Sequence, residues 1–145
     1  MKKHILASIL SCAALTNAAF AQQPVCELAG AEAIPIFEKA KLAFLRSDFP
    51  EFVDIMRQSL GNGASALSEP LLKVKDIVPN GFDSCQVIAQ RKDIGGLIQE
   101  VATFNIKGSV QPLSLYLSAM PVRGELIIGQ VNFNTAIGPV LRELK

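Results

Sequence analysis

Between residues 31 and 78, apolar side chains recur every three or four positions, the spacing of one face of a helix. Three stretches have this pattern: AEAIPIFEKAKLAFLRSDF, SDFPEFVDIMRQSLGNG and ASALSEPLLKVKDIVPNG. Pro35 fits the first turn of the first helix, where its missing N–H costs nothing. Ser47 or Asp48 can cap the second helix, and Gly61 can end it. The pattern therefore predicts three consecutive helices.

After Gly81 the period changes from about 3.6 to 2, which indicates strands. Four stretches alternate, SCQVIAQRK, LIQEVATFNI, LSLYLSAM and ELIIGQVNFN, and short turn-like connections separate them. In the last stretch, alternation places Ile127, Val131 and Phe133 on one face. Short connections between such runs predict hairpins. We therefore expect an α+β fold in which N-terminal helices pack on a strongly curved antiparallel meander of about four strands.

The C-terminal stretch TAIGPVLRELK fits either a short helix or a last extended segment, because Gly138-Pro139 interrupts its pattern.

The N-terminal stretch MKKHILASILSCAALTNAAFA has the three parts of a signal peptide. Lys2 and Lys3 make its beginning basic, an apolar run follows, and AFA at residues 19–21 matches a cleavage site. The apolar run is shorter than the roughly 20 residues that span a bilayer, and no second run of spanning length follows it. We therefore predict an exported protein without a transmembrane segment after cleavage.

We predict cleavage after Ala21, so that residues 1–21 are the signal peptide and residues 22–145 form one domain. The alternative is a lipoprotein processed before Cys12, because ILSC resembles a lipoprotein motif. Leu10 fits that motif poorly, which favours cleavage after Ala21. The expected location is the periplasm or the extracellular medium.

Removing the predicted signal peptide changes the available chemistry. Lys2 and Lys3 leave with it, so 12 of the 14 Lys and Arg remain against 13 Asp and Glu. Such a chain has no basic field for a phosphate backbone, and we expect no nucleic-acid partner. His4, the only histidine, also leaves, which excludes histidine triads and histidine-based zinc sites in the mature chain. Nucleotide-binding glycine motifs and a CxxC pair are absent, so we expect no metal and no cofactor.

The mature chain retains two cysteines, Cys26 and Cys85. An even count in an oxidising compartment predicts a disulfide, which the chain-entropy model values at roughly 4 kcal/mol for a loop of this size. The alternatives are two free thiols, or one catalytic cysteine, which would lack its usual histidine base.

The order of elements resembles the nuclear transport factor two-like superfamily, which includes the SnoaL-like proteins and has a cystatin-like cone fold. KLAFLRSDFPEFVDIM is similar to the early pattern of the family, a helix, a break and an acidic residue opening a second helix. LSLYLSAMPVRGELIIGQVNFN resembles the closing hairpin. The resemblance implies a cone with a cavity and a homodimer formed through the outer sheet face. Enzymes of the family often place Asp, His or Tyr in the cone, and no His remains here.

Glu100 is the one candidate for catalysis, because it lies inside the apolar stretch LIQEVATF. If its side chain faced a cavity, desolvation would raise its pKa and favour a general base. Strict alternation favours the other interpretation, a side chain that faces solvent on a half-exposed strand.

Tyr116, Gln130 and Asn132 are the candidate ligand-binding residues. Tyr116 is the only tyrosine and lies opposite the leucines of its strand, where its hydroxyl could anchor a ligand. The two amides lie on the following strand and could orient a polar group. The alternative is a packed aromatic residue beside the solvated face of a sheet.

We thus expect an exported protein without enzymatic activity, which binds a small apolar or amphipathic molecule or another envelope protein. One alternative is a cone-fold enzyme that uses a buried carboxylate for proton transfer or hydrolysis. The other alternative is an envelope assembly or inhibitor module.

Overall fold

The computed structural model describes residues 24–144. The predicted signal peptide, its cleavage point after Ala21 and the alternative site at Cys12 lie outside the described residues. The helical elements are α1 (Pro35–Leu45), α2 (Phe49–Leu60), a 3-10 helix (Gly61–Leu67), α3 (Ser68–Ile77) and α4 (Ile137–Leu141). The strands are β1 (Phe82–Lys92), β2 (Ile98–Ile106), β3 (Leu113–Val122) and β4 (Glu125–Asn134).

The four strands form one antiparallel sheet in the order β1-β2-β3-β4. This confirms the predicted α+β fold with a four-stranded meander. The turn from β3 to β4 consists of Arg123 and Gly124, whose φ angles are 53° and 85°. A two-residue turn with two positive φ angles matches the twist of the strands it joins, and glycine adopts the second position without a Cβ clash.

Local features set the bounds of the helices. Pro35 lies in the first turn of α1, as predicted. Asp48 caps α2, because its Oδ1 accepts a hydrogen bond of 3.1 Å from the backbone N–H of Glu51. Gly61 ends α2 with a φ of 56°. The third predicted stretch begins within the 3-10 helix and continues as α3.

The side of the sheet that faces α1 and α2 is packed with phenylalanine rings. Phe44 of α1 lies at the centre of this cluster. Its ring centroid lies 4.9 Å from that of Phe104, 5.2 Å from that of Phe52 and 5.6 Å from that of Phe82. Aromatic pairs at such distances contribute about 0.5–1.5 kcal/mol each beyond the area they bury. We call this side of the sheet the helix-facing side.

A β-bulge exchanges the two faces of β4 at the end that lies nearest the β3–β4 turn. Ser118 pairs with Gln130 and Ala119 pairs with Ile128, so Gly129 is an additional residue. Ile128 therefore enters the core, where it is fully buried. The strict alternation that grouped Ile127 with Val131 and Phe133 is wrong here, because one additional residue exchanges the two faces of a strand.

A second irregularity lies in β1. Val87 pairs with Ala102 and Ala89 pairs with Val101, so one residue between them has no partner on β2. Beyond this point Gln90 lies opposite Glu100 on the helix-facing side. The bulge thus brings an amide into contact with a carboxylate that alternation alone would not have joined to it.

The N-terminal segment, residues 24–34, is fastened to β1. Cys26 and Cys85 form the predicted disulfide, with Cα atoms 4.7 Å apart. The backbone N–H of Glu27 donates to the Cys85 carbonyl at 3.0 Å, and the N–H of Val87 donates to the Glu27 carbonyl at 2.7 Å. The disulfide confirms the predicted pairing and fits an oxidising compartment.

The short helix α4 packs on the outer face of the sheet, opposite the helix-facing side. Its Val140 is fully buried with Val101 and Tyr116, and Leu144 packs against the same cluster. Val101 is fully buried in this outer-face cluster. In the part of the chain that the structure describes, no helix is long and apolar enough to cross a membrane.

Candidate functional site

The three predicted ligand-binding residues lie together on the outer face. Tyr116 of β3 pairs directly with Asn132 of β4, and Ser118 pairs with Gln130 one step along the same face. Side chains two apart on a strand point to the same side, so these four groups form one polar patch. α4 and the residues that follow it border this patch.

A cavity of about 310 Å³ lies in this region, and we call it the outer-face pocket. Its volume is at the lower end of the range for small-molecule sites. Tyr116 and Gln130 line the pocket, whereas Asn132 is not among its lining residues. Its full lining comprises Leu97, Gln99, Tyr116, Ser118, Met120, Gly129, Gln130 and Glu143.

Tyr116 supplies the aromatic wall of the outer-face pocket and is only 2% exposed. Its hydroxyl donates a hydrogen bond of 3.1 Å to Oε1 of Gln99. Burial raises the pKa of the Tyr116 phenol above its ordinary value near 10, a hydrogen bond with Ser118 opposes this rise, and the negative charge of Glu143 adds to it. The tyrosine is therefore a neutral hydrogen-bonding group at physiological pH.

Glu143 is the acidic group of the pocket, and it comes from the C-terminal stretch. Gln130 Nε2 donates to Glu143 Oε2 at 2.7 Å. Asn132 Nδ2 donates to Glu143 Oε1 at 3.1 Å. Asn132 therefore does not line the pocket, but it holds the Glu143 carboxylate in place. The two amides fix the position of the carboxylate without neutralising its charge.

Glu143 and Gln99 were not among the residues predicted from the sequence. The sequence did not decide whether the C-terminal stretch forms a short helix or an extended segment. It therefore gave no reason to expect Glu143 against the sheet. The available indication was the spacing of Val140 and Leu144, which lie four apart and both pack on the outer-face cluster. Gln99 is next to Glu100 and points to the opposite side of β2.

Glu100 lies on the other side of the sheet and is only 1% exposed, so the expectation that it faces solvent is wrong. Lys41 of α1 is fully buried beside it. The ammonium Nζ lies 2.7 Å from Glu100 Oε1 and 2.6 Å from Oε1 of Glu38, which is also 1% exposed. We call Glu38, Lys41 and Glu100 the buried charge triad.

Neutral donors contact the other oxygens of the buried charge triad. Glu38 Oε2 accepts a hydrogen bond of 2.7 Å from the backbone N–H of Val25. Glu100 Oε2 accepts one of 2.8 Å from Gln90 Nε2, which also donates to the Glu32 carbonyl at 2.8 Å. Every carboxylate oxygen of the triad therefore has a close partner. The same contacts connect the N-terminal segment to α1, β1 and β2.

A third region of interest is an apolar groove between α2 and α3, with a volume of about 410 Å³. We call it the α2–α3 groove. Phe49, Val53, Leu71 and Leu72 supply most of its apolar lining, and Leu72 is 63% exposed. Charged side chains lie at its edge, but Arg57 is already paired with Asp54 of the same helix. The groove is a competing site for any apolar ligand.

Over residues 24–144, no group of three or more His, Cys, Asp and Glu side chains is arranged to hold a metal ion. The chain matches no protein-family model, no curated protein and no solved structure.

Proposed function

We propose that this protein is an exported, non-enzymatic binding protein that takes a small amphipathic molecule into the outer-face pocket. The observation that carries the proposal is the convergence of polar and apolar groups there. Tyr116, Gln130 and Glu143 supply hydrogen-bonding groups, and Leu97 and Met120 supply apolar surface. A concave site with a few fixed polar groups beside apolar side chains is typical of small-molecule sites.

The backbone of the sheet fixes the positions of the polar side chains in the outer-face pocket. Tyr116 lies on β3 and Gln130 on the neighbouring strand β4, and Val140 of α4 packs with Tyr116. Side chains on paired strands have little freedom to move, which reduces the ordering cost of binding. Met120, which is 43% exposed, gives the apolar part of the pocket an adaptable side chain.

Export, the cone fold and the homodimer are further parts of the proposal. The Cys26–Cys85 disulfide supports a periplasmic or extracellular location. The cone fold of the nuclear transport factor two-like superfamily and its strongly curved sheet are proposed on the resemblance in the order of elements, three helices followed by a meander. In such a homodimer the outer face would form the interface around α4.

The surroundings of Glu100 do not favour the alternative of a carboxylate enzyme. A general base needs an oxygen within hydrogen-bond reach of the substrate proton. Both Glu100 oxygens already have partners, Lys41 on one side and Gln90 on the other. The outer-face pocket, in contrast, already has room for a ligand.

Filling the pocket tests the proposal. Gly129 lines it, and a Cβ there would meet only the flexible end of Met120, at 3.1 Å. Gly129→Leu should therefore fold and occupy the pocket. Gly63→Leu is the matched control, since a Cβ at Gly63 meets only the Leu60 Cβ, at 3.9 Å.

Hexylamine serves as the probe, and calorimetry on the purified exported protein measures its binding. We expect the wild type and Gly63→Leu to bind it and Gly129→Leu to lose at least roughly tenfold in affinity. Native mass spectrometry of the same samples should find any co-purifying small molecule only where the pocket is open. Equal binding by all three proteins would contradict the proposal.

A further inference from the structure

The charge of Glu143 has no cationic partner among residues 24–144. The donors to its carboxylate are the side-chain amides of Gln130 and Asn132. Its sequence neighbour Arg142 directs its guanidinium back along α4, where Nη1 lies beside Gly138. The described part of the chain therefore holds a carboxylate in a fixed position and leaves its negative charge uncompensated.

A carboxylate in a half-buried pocket loses part of its hydration. A charge-assisted hydrogen bond from an ammonium group compensates best for that loss. Two amides would be an inefficient means of fastening α4, because a lysine or arginine would also neutralise the charge. They are an efficient means of orienting a carboxylate that must remain available to another cation. The protein thus fixes the position of the Glu143 carboxylate without neutralising its charge.

We infer that the ligand of the outer-face pocket carries a primary or secondary ammonium group, which pairs with Glu143. This inference depends on the proposed function, because it assumes that the pocket is occupied by an amphipathic molecule. The apolar part of the ligand lies on Leu97 and Met120.

Glu143 and Tyr116 line the same pocket, and the charge of Glu143 is the smallest of the three causes that act on the pKa of the Tyr116 phenol. A cation that binds in the pocket is therefore attracted by the carboxylate.

Three six-carbon probes that differ only in their head group test the inference: hexylamine, hexan-1-ol and hexanoate. We expect the wild type to bind hexylamine roughly tenfold more tightly than hexan-1-ol, and hexanoate most weakly. Glu143→Gln keeps an acceptor in the pocket but removes the charge, so hexylamine and hexan-1-ol should then bind within about twofold of each other. Glu125→Gln makes the same charge change at an exposed position of β4 and should keep the wild-type ratio.

Salt provides a second measurement that does not depend on the folding of a variant. Raising the salt concentration should weaken hexylamine binding to the wild type and leave hexan-1-ol binding unchanged, because only the amine forms an ion pair.

The outcomes separate the inference from the proposed function. If the wild type binds hexylamine and hexan-1-ol equally in the pocket, the ammonium inference is overturned and the proposed function stands. If Glu143→Gln weakens both ligands equally, Glu143 only fastens α4, and the inference is again overturned. If none of the probes binds in the pocket, the proposed function fails as well.

Discussion

Glu100 and Glu143 are carboxylates that lie against opposite faces of the same sheet, and their surroundings differ in burial and in the charge of the contacting groups. Glu100 is buried on the helix-facing side and contacts the ammonium of Lys41. Glu143 lies at the outer-face pocket and contacts two neutral amides. Both carboxylates have their oxygens in fixed positions, but only Glu100 contacts a cation, Lys41, which it shares with Glu38.

This difference separates a structural role from a binding role. A carboxylate that is fully buried against an ammonium of the same protein, as Glu100 is, has no exposed oxygen for a ligand. An oriented carboxylate that keeps its charge is a binding group. The sequence-based candidate for catalysis, Glu100, is of the first kind. Glu143, which was not predicted from the sequence, is of the second kind.

The largest effect should follow from removing the cation of the buried charge triad. Lys41→Met leaves Glu38 and Glu100 buried side by side, and we expect it to lower the free energy of unfolding by about 3–5 kcal/mol at neutral pH. Urea unfolding measures the change. Lys39→Met, on the exposed side of α1, should change it by less than about 0.5 kcal/mol.

The triad also allows a rescue experiment. Adding Glu38→Gln and Glu100→Gln to Lys41→Met removes both unpaired charges, so most of the lost stability should return. If Lys41→Met were as stable as Lys39→Met, the buried charges would not be coupled as the distances indicate.

A smaller loss of stability should follow from removing the disulfide. Cys26→Ser with Cys85→Ser opens a loop with a sequence separation of 59. We expect a loss of about 2–4 kcal/mol, because the unfolded chain gains conformational freedom. The backbone hydrogen bonds of Glu27 to β1 remain in this variant. Thiol labelling of the unreduced wild type should detect no free cysteine in the mature chain, and two labelled thiols would contradict the pairing.

The smallest effect concerns the outer face and is measured as a pKa. Tyr116 is the only tyrosine, so the absorbance of tyrosinate reports its titration directly. We expect its pKa to lie above the ordinary value near 10, and Glu143→Gln should lower it because one cause of the rise is removed.

The sign of the linked stability follows from the raised pKa. The folded protein binds the phenol proton more tightly than the unfolded chain, so Tyr116 contributes stability that is present below about pH 10 and lost as pH rises through the folded pKa. Tyr116→Phe should lack this alkaline loss. An unchanged tyrosinate titration in Glu143→Gln would show that the carboxylate does not act on the pocket.

The order of helices and strands could be predicted because it depends on local periodicity. The pairing of Cys26 with Cys85 followed from their number and from the expected export. The faces of β1 and β4 were harder to predict, since a bulge depends on the partner strand. At Gly129 one additional residue placed Ile128 in the core, against strict alternation.

The candidate site was predicted in part, for similar reasons. Tyr116, Gln130 and Asn132 were selected as polar groups on a strand face, and paired strands bring them together. Glu143 was not predicted, because its position depends on α4 returning to the outer face through Val140. The spacing of Val140 and Leu144 indicates an apolar face, but it does not indicate which part of the sheet that face contacts.

The most direct test of the contrast between the two faces is to locate hexylamine on the isotopically labelled protein by NMR at neutral pH. We expect the largest amide shifts at Tyr116, Ser118, Gln130 and Glu143, which line the outer-face pocket. Shifts confined to Leu72 and its neighbours in the α2–α3 groove, or to the surroundings of Glu100, would contradict the account.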